Sequence, residues 1–304
     1  MDEKSKKLLT RSSERISFAY IEKARIEQTE FGIQMVQGKT FAEIPITTVN
    51  CLVFGPGVSI THRAMENIAS AGCSVCWMGE NMCRFYAYGE PATHHSKNIL
   101  VQMRYHENKQ LHLAVVHRMY EKRYPNAKIK SKDLSSLRGF EGLSVKKKYE
   151  ELSEKYQVDW NGRVYTPDDF EGQDTVNKYL TALNQYLYAV IQAILVTMGY
   201  SPAIGYIHTG NMRSFVFDIA DLYKERYVMD AAFELAAKGD YDRRAGIISF
   251  RRLIVEKKLM SKIVKDISEL FSDATDAEYP EIEGVLWDYT KFVNSGKNYS
   301  ETSD

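Results

Sequence analysis

The feature that most limits what this chain can fold into is a change of hydrophobic period near residue 90. Up to there apolar residues recur at every second position: Ile16, Phe18 and Tyr20 in RISFAYIEKARIEQ, then Phe31, Ile33 and Met35 in EFGIQMVQ. The runs TFAEIPI, NCLVF, CSVCWM and RFYAYG continue the pattern. Period two lines one face of a strand. One short helix, in VSITHRAMENIASAG, interrupts the strands. After Pro91 the spacing becomes three and four. Leu111, Val115 and Met119 share a helical face, and Val176, Tyr179, Leu180, Leu183, Leu187, Val190, Ile191 and Ile194 form a long apolar stripe. Further helices are expected near 134–156, 213–238 and 243–271. The predicted class is α+β. A small β-rich domain (1–90) joins a larger all-α domain (91–272) near residues 89–97. An acidic tail (273–304) is expected to lack fixed structure in isolation.

Composition narrows the class. At 44% hydrophobic and 26% charged residues the chain reads as globular, and 40 basic against 40 acidic residues give no global pull toward nucleic acid. Distribution is more telling: from Lys97 to Arg163 there are 15 Lys/Arg against 8 Asp/Glu, whereas the tail carries eight acidic residues against Lys291 and Lys297. A basic middle is either a DNA-facing surface or a solvated face. The charged N-terminus MDEKSKKLLTRSSER is no signal peptide. The most apolar stretch, YLYAVIQAILVTMGY, is broken by Gln192 and short for a membrane span, so a cytoplasmic protein without membrane contact is expected. Cys73 and Cys76 form C-x-x-C, yet on a strand they point to opposite faces, which favours buried thiols over zinc. GPGVSITHRAMENIA lacks both the lysine of a phosphate-binding loop and the third glycine of a dinucleotide fingerprint, and reads as a tight strand-to-helix turn.

Two segments resist this reading as plain core or surface. In IHTGNMRSFVFDIADLYK, Asp218 and Asp221 lie three apart among Val216, Phe217, Ile219, Ala220 and Leu222. Burying a carboxylate demands a partner: a cation, a proton or a metal. His208 precedes that helix, with Gly205, Thr209 and Gly210 around it. In SLRGFEGLSVKKKY, Glu141 lies between Gly139 and Gly142, a costly pair in a helix unless something approaches closely.

LRGFEG followed by GYIHTGNMRSFVFDIADLYK closely resembles CRISPR-associated protein 1, the integrase that inserts new spacers into CRISPR arrays. WNGRVYTPDDFEGQDTVN and SPAIGYIHTG are similar to its type I-E branch, the one accompanying Cascade. The resemblance covers residues from about 14 to 272. It implies that Glu141, His208 and Asp221 hold Mg²⁺ or Mn²⁺, with Asp218 beside them in the catalytic set. It implies DNA contacts from Tyr20, Arg84, Tyr165 and Tyr188, to which the basic segment adds Arg138, Lys146, Lys147, Lys148 and Arg163 as phosphate contacts. The implied substrates are prespacer duplex with single-stranded 3′ overhangs and leader–repeat DNA. The implied division of labour gives dimerisation and DNA-end binding to the β-rich domain (1–90) and catalysis to the helical domain (91–272), and the implied assembly is a homodimer, two of which flank a dimer of CRISPR-associated protein 2.

The donor set suits the chemistry, since hard oxygens and one imidazole favour Mn²⁺ or Mg²⁺ over zinc. The chain departs from its relatives at Asn211, where a lysine is usual, at Phe217, where a tyrosine is common, and at Ser59, where a basic residue is usual. Two other readings stay open: a stand-alone metal-dependent nuclease of branched or single-stranded DNA, and a non-catalytic DNA scaffold.

Overall fold

The computed structural model describes residues 17–30, 32–90, 95–125, 134–164, 172–274, 285–287 and 292–294. The N-terminal strands build two sheets rather than one. RISFAYIEKARIEQ breaks at Lys23, which takes a left-handed conformation (φ 51°), so that β1 (Ser17–Ile21) and β2 (Arg25–Thr29) enter different sheets. The first sheet has the order β1-β5-β7-β8, with β5 (Val49–Phe54) and β7 (Ser74–Met78) parallel to β1 and β8 (Phe85–Tyr88) antiparallel. The second has the order β4-β3-β2-β6: a meander of β2, β3 (Gly32–Gln37) and β4 (Thr40–Ile44), with the short β6 (Ser59–Ile60) parallel to β2. Helix α1 (His62–Ser70) starts where Thr61 accepts the Ala64 N–H, and Gly57 (φ 76°) makes the turn before it.

Strand alternation sets the layers. Leu52, Phe54 and Val75 face one buried cluster with Ile26, Ile33, Ala64 and Ile68. Cys51, Val53, Cys76 and Met78 face the other way, into a larger cluster shared with the helices. Cys73 and Cys76 therefore serve different cores, as the strand period requires, and all four cysteines are buried thiols outside any disulfide.

The helices are α2 (Lys97–Glu107), α3 (Lys109–Arg123), α4 (Leu134–Tyr156), α5 (Thr175–Thr197), α6 (Ser214–Tyr223), α7 (Met229–Ala236), α8 (Arg243–Glu256) and α9 (Leu259–Leu270). Two expected long helices are broken. The 213–238 segment passes through a π turn at Lys224–Val228, and the 243–271 segment divides at Lys258, whose left-handed backbone (φ 49°) separates α8 from α9. Helix α5 is longer and more apolar than its Gln192 interruption suggested. Its length and hydropathy would let it cross a membrane, yet 78% of its most apolar window is buried by the surrounding protein. It is the post on which α6, α7, α8 and the first sheet pack. In the tail, β9 (Val285–Trp287) and β10 (Phe292–Asn294) pair antiparallel. Both strands are drawn from β-prone residues, Val285, Leu286 and Trp287 on one and Phe292 and Val293 on the other.

Candidate active site

Asp218 answers half of the puzzle of the paired aspartates. Its side chain is fully buried, and the GYIHTG turn wraps around it. The carboxylate accepts the backbone N–H of Tyr206 (2.5 Å), Ile207 (3.1 Å) and His208 (2.8 Å), and the His208 ring through Nδ1 (2.7 Å). Three amides and an imidazole satisfy a charge that would otherwise be costly to bury. Gly205 makes the wrap feasible, because a Cβ there would lie 2.4 Å from the His208 carbonyl oxygen. The bond to Asp218 outweighs burial and raises the His208 pKa. With Nδ1 committed, Nε2 is the free nitrogen, and it lies 3.9 Å from Asp221 Oδ2.

Asp221, one turn on from Asp218, faces outward from the same helix side and is only 15% exposed. Lys224 reaches back from the π turn to its Oδ1 at 2.6 Å. Burial disfavours the Lys224 charge, but Asp221 and Tyr188 outweigh that and raise its pKa. Glu141, on α4, meets α3: Tyr120 donates to Oε2 at 2.8 Å and Arg123 Nη1 to Oε1 at 2.5 Å. The same Nη1 lies 4.0 Å from Asp221 Oδ2. Arg123 Nε and Nη2 grip Glu225 Oε1 at 2.7 and 2.6 Å, and Tyr124 joins them at 2.5 Å. Glu141, His208 and Asp221, from α4, a turn and α6, thus converge on one place. Among the described residues no three His, Cys, Asp or Glu side chains stand close enough together to hold a metal as they are. Arg123 stands between Glu141, Asp221 and Glu225, and Lys224 holds Asp221.

Beside this cluster runs a cleft of about 730 Å³ between β8 and α5, lined by Arg84, Arg163, Asn184, Gln185, Tyr188, Gln192, Arg213 and Phe217, among others. Phe217 links the two, packing edge-on against His208 (5.8 Å) and Tyr188 (5.1 Å) under the Arg213 guanidinium (5.3 Å).

A carboxylate–imidazole cluster at the mouth of a cationic cleft is where likeness to known proteins becomes informative. The family model described as CRISPR associated protein Cas1 matches residues 117–269. The CRISPR-associated endonuclease Cas1 2 of Chlorobaculum tepidum is 39% identical over 269 residues, 88% of this chain and 91% of that protein. A Clostridium CRISPR-associated endonuclease Cas1 is 36% identical over 97% of this chain and the whole of its own length. The chain belongs to the Cas1 family. Cas1 architecture recurs in the crystal structure of a TtCas1–DNA complex, which superposes with a TM-score of 0.77 at 36% identity, covering 84% of this chain and 97% of that one.

The remaining expected DNA contacts of this Cas1-family chain fall into three groups. Arg84, Arg163 and Tyr188 line the cleft, although Arg163 also spends its guanidinium on Asn177 Oδ1 (2.7 Å) and Thr181 Oγ1 (3.0 Å). Arg138, Lys146 and Lys147 are exposed on α4 and Lys148 is partly so; Lys146 and Lys147 lie 3.9 and 3.7 Å from Glu150 and Glu151 one turn on. Tyr20 is half-buried between β1 and α8, its hydroxyl on Glu22 (3.0 Å) and Arg251 over its ring (5.4 Å). It also explains Gly55, where a Cβ would lie 2.2 Å from the Tyr20 hydroxyl. Tyr165 lies outside the described residues. Gly139 and Gly142 do not serve the close approach expected of them within this chain, since a Cβ at either would meet nothing within 4 Å.

Sequence reasoning missed Arg123, Lys224, Glu225 and Arg213. Arg123 reads as an ordinary basic residue in the last turn of a helix that stops before Tyr124-Pro125, and only packing shows it to be 8% exposed. A legible signal existed on α5: Asn184, Tyr188 and Gln192, four apart, make a polar stripe on a buried helix, and Asn184 Oδ1 is buried without a hydrogen-bond partner.

Proposed function

We propose that this chain is a divalent-metal-dependent DNA integrase of the type I-E kind, joining prespacer DNA to a CRISPR repeat in the cytoplasm. The observation that carries this reading is the convergence of Glu141, His208 and Asp221 from three separate elements beside a cationic cleft. The donor set fits Mg²⁺ or Mn²⁺: two carboxylates and an imidazole whose Nδ1 is already tied to Asp218, leaving Nε2 toward Asp221. When bound there, the ion supplies charge neutralisation for the phosphodiester and its departing oxygen.

The chain's own residues then divide the remaining work. Asp218 is a positioning residue: it fixes the His208 tautomer and orientation and touches no substrate. Arg84, Arg163 and Arg213 line the path of the overhang phosphates, and Tyr188 offers a ring against unpaired bases. Lys224, over the Tyr188 ring at 4.9 Å and bonded to Asp221, ties that ring to the acidic cluster. The reaction is a transesterification. The prespacer 3′-hydroxyl attacks a phosphodiester at the leader–repeat or repeat–spacer boundary, one ester replaces another, and no nucleotide triphosphate is consumed. The assembly in this reading is a homodimer paired with a second one across a dimer of CRISPR-associated protein 2.

The test is covalent joining. Labelled prespacer with 3′ overhangs should appear in repeat DNA with Mn²⁺ or Mg²⁺ and disappear from it with EDTA. Cleavage of branched or single-stranded DNA without joining, in the presence of the partner protein, would replace the integrase with a stand-alone nuclease. Joining that survives EDTA would remove the metal from the reading.

A further inference from the structure

Arg123 is the residue that a bare ligand set leaves unexplained. Its guanidinium faces three carboxylates, and two of them, Glu141 and Asp221, are the ones that would hold the divalent ion. Both Glu141 oxygens are already engaged, Oε1 by Arg123 Nη1 and Oε2 by the Tyr120 hydroxyl, and the guanidinium brings a positive charge against the first. An ion entering the site must therefore compete with a guanidinium for Glu141. We propose that Arg123 is the site's internal counter-cation: it holds Glu141 and Asp221 in the metal-free protein and releases Glu141 to an entering divalent ion while keeping its grip on Glu225. The inference rests on the metal-dependent reading above.

The fork of the guanidinium suits a division of this kind. Nε and Nη2 form one edge of the group, and both point at Glu225 Oε1; Nη1, on the other side, faces Glu141 and Asp221. Letting go of Glu141 leaves the Glu225 contacts intact. Glu225 is itself held by the Tyr124 hydroxyl and sits on the π turn, so the anchor is separate from the proposed ligands. Arginine suits the role better than lysine, since a guanidinium cannot shed its proton when buried and presents two edges at once.

Charge points the same way. Glu141, Asp221 and Glu225 carry three negative charges against two positive ones on Arg123 and Lys224, an excess of one negative. A divalent ion added with Arg123 retained turns that excess into one positive charge, which a single phosphodiester neutralises. Metal alone should bind weakly, and metal and DNA should each strengthen the binding of the other.

The test is calorimetric titration of Mn²⁺ into the full-length, DNA-free protein, with thermal unfolding measured in parallel. Wild-type protein should bind Mn²⁺ weakly, and Glu141→Gln should abolish that binding. Arg123→Gln should bind at least about tenfold more tightly, because the positive charge that competes for Glu141 and Asp221 is gone. Its metal-free Tm should fall, and Mn²⁺ should raise that Tm by more than it raises the wild-type value. Glu225→Gln should shift affinity the opposite way, since a guanidinium deprived of its anchor leans harder on Glu141 and Asp221. Glu141-dependent binding that Arg123→Gln leaves unchanged or weakens would overturn this proposal alone. Should Arg123→Gln fail to fold, unchanged or tighter binding by Glu225→Gln overturns it instead. Mn²⁺ binding indifferent to Glu141→Gln would overturn the metal-dependent reading, and this proposal with it.

Discussion

Helix α3 stands between two clusters of opposite charges that are satisfied to different degrees. On one side Tyr120, Arg123 and Tyr124 meet Glu141, Asp221 and Glu225. On the other, Arg118 and Lys122 meet Asp266, Glu269 and Asp273. The second cluster is saturated. Asp266 receives the Tyr223 hydroxyl at 2.7 Å, Lys262 at 2.9 Å and Lys122 at 3.0 Å, and these bonds overcome the raising effect of burial to lower its pKa. Arg118, with help from Tyr105, holds the Asp273 carboxyl at about 2. In the first cluster one guanidinium is divided among three carboxylates, and His208 Nε2 stops 3.9 Å short of Asp221, beyond a hydrogen bond. Saturation locks a fold in place. A cluster left one cation short, at the mouth of a cleft, has capacity for a ligand.

The comparison breaks most sharply on activity. Alanine at Glu141, His208 or Asp221 should each bring strand transfer to background while leaving duplex binding within a few-fold, because DNA affinity rests mainly on Lys/Arg contacts. Asp266→Asn should keep strand transfer per folded molecule. Full transfer by any of the three alanine variants with Mn²⁺ present would remove the distinction between the clusters.

Stability should reverse the ranking. Asp266→Ala leaves Lys262 and the Tyr223 hydroxyl without their acceptor, and Lys122 with Glu269 alone, and should cost about 2–4 kcal/mol in denaturant unfolding. Asp218→Ala strands three backbone amides and should cost about 3–5 kcal/mol. Glu141→Ala, by contrast, relieves the competition for Arg123 and should cost less than either. A Glu141→Ala loss as large as that of Asp266→Ala would show the first cluster to be equally structural.

Arg251 over Tyr20 sharpens the contrast from outside both clusters, since there the cation meets a ring rather than a carboxylate. If that ring stacks on a terminal base pair, Tyr20→Ala should lose roughly 1–3 kcal/mol on forked DNA and less on blunt duplex, with Tyr20→Phe close to wild type. A large fall in Tm with equal weakening on both substrates would mean that Tyr20 only packs against Gly55 and α8.

The smallest effect belongs to the exposed pairs. Neutralising Lys146, Lys147 and Lys148 together should change stability little, as surface pairs contribute about 0–1 kcal/mol each. It should lower the logarithmic salt slope of DNA binding by about 0.9 for each phosphate that these lysines neutralise. An unchanged slope would make these lysines partners of Glu150 and Glu151 and nothing more.

Much of this molecule was determined by sequence alone. Period two before residue 90 and period 3.6 after it fixed an α+β chain, because side-chain periodicity follows directly from backbone geometry. Asp218 and Asp221 stood out by themselves, since carboxylates among apolar neighbours require partners wherever they fall, whereas Glu141 and His208 were singled out by the family resemblance. Other features needed the fold. Nothing local announces that β1 and β2 part company at Lys23, or that Lys258 divides α8 from α9, because a lysine in a left-handed conformation leaves no compositional trace. Nor does Arg118 differ in sequence from Arg123. Both are basic residues on α3, five positions apart, and α3 turns one toward Asp273 and the other toward Glu141. Which acids each meets depends on where α4, α6 and α9 pack, and that is a property of tertiary structure: charge is written in the sequence, but the balance of charge at a point in space is not.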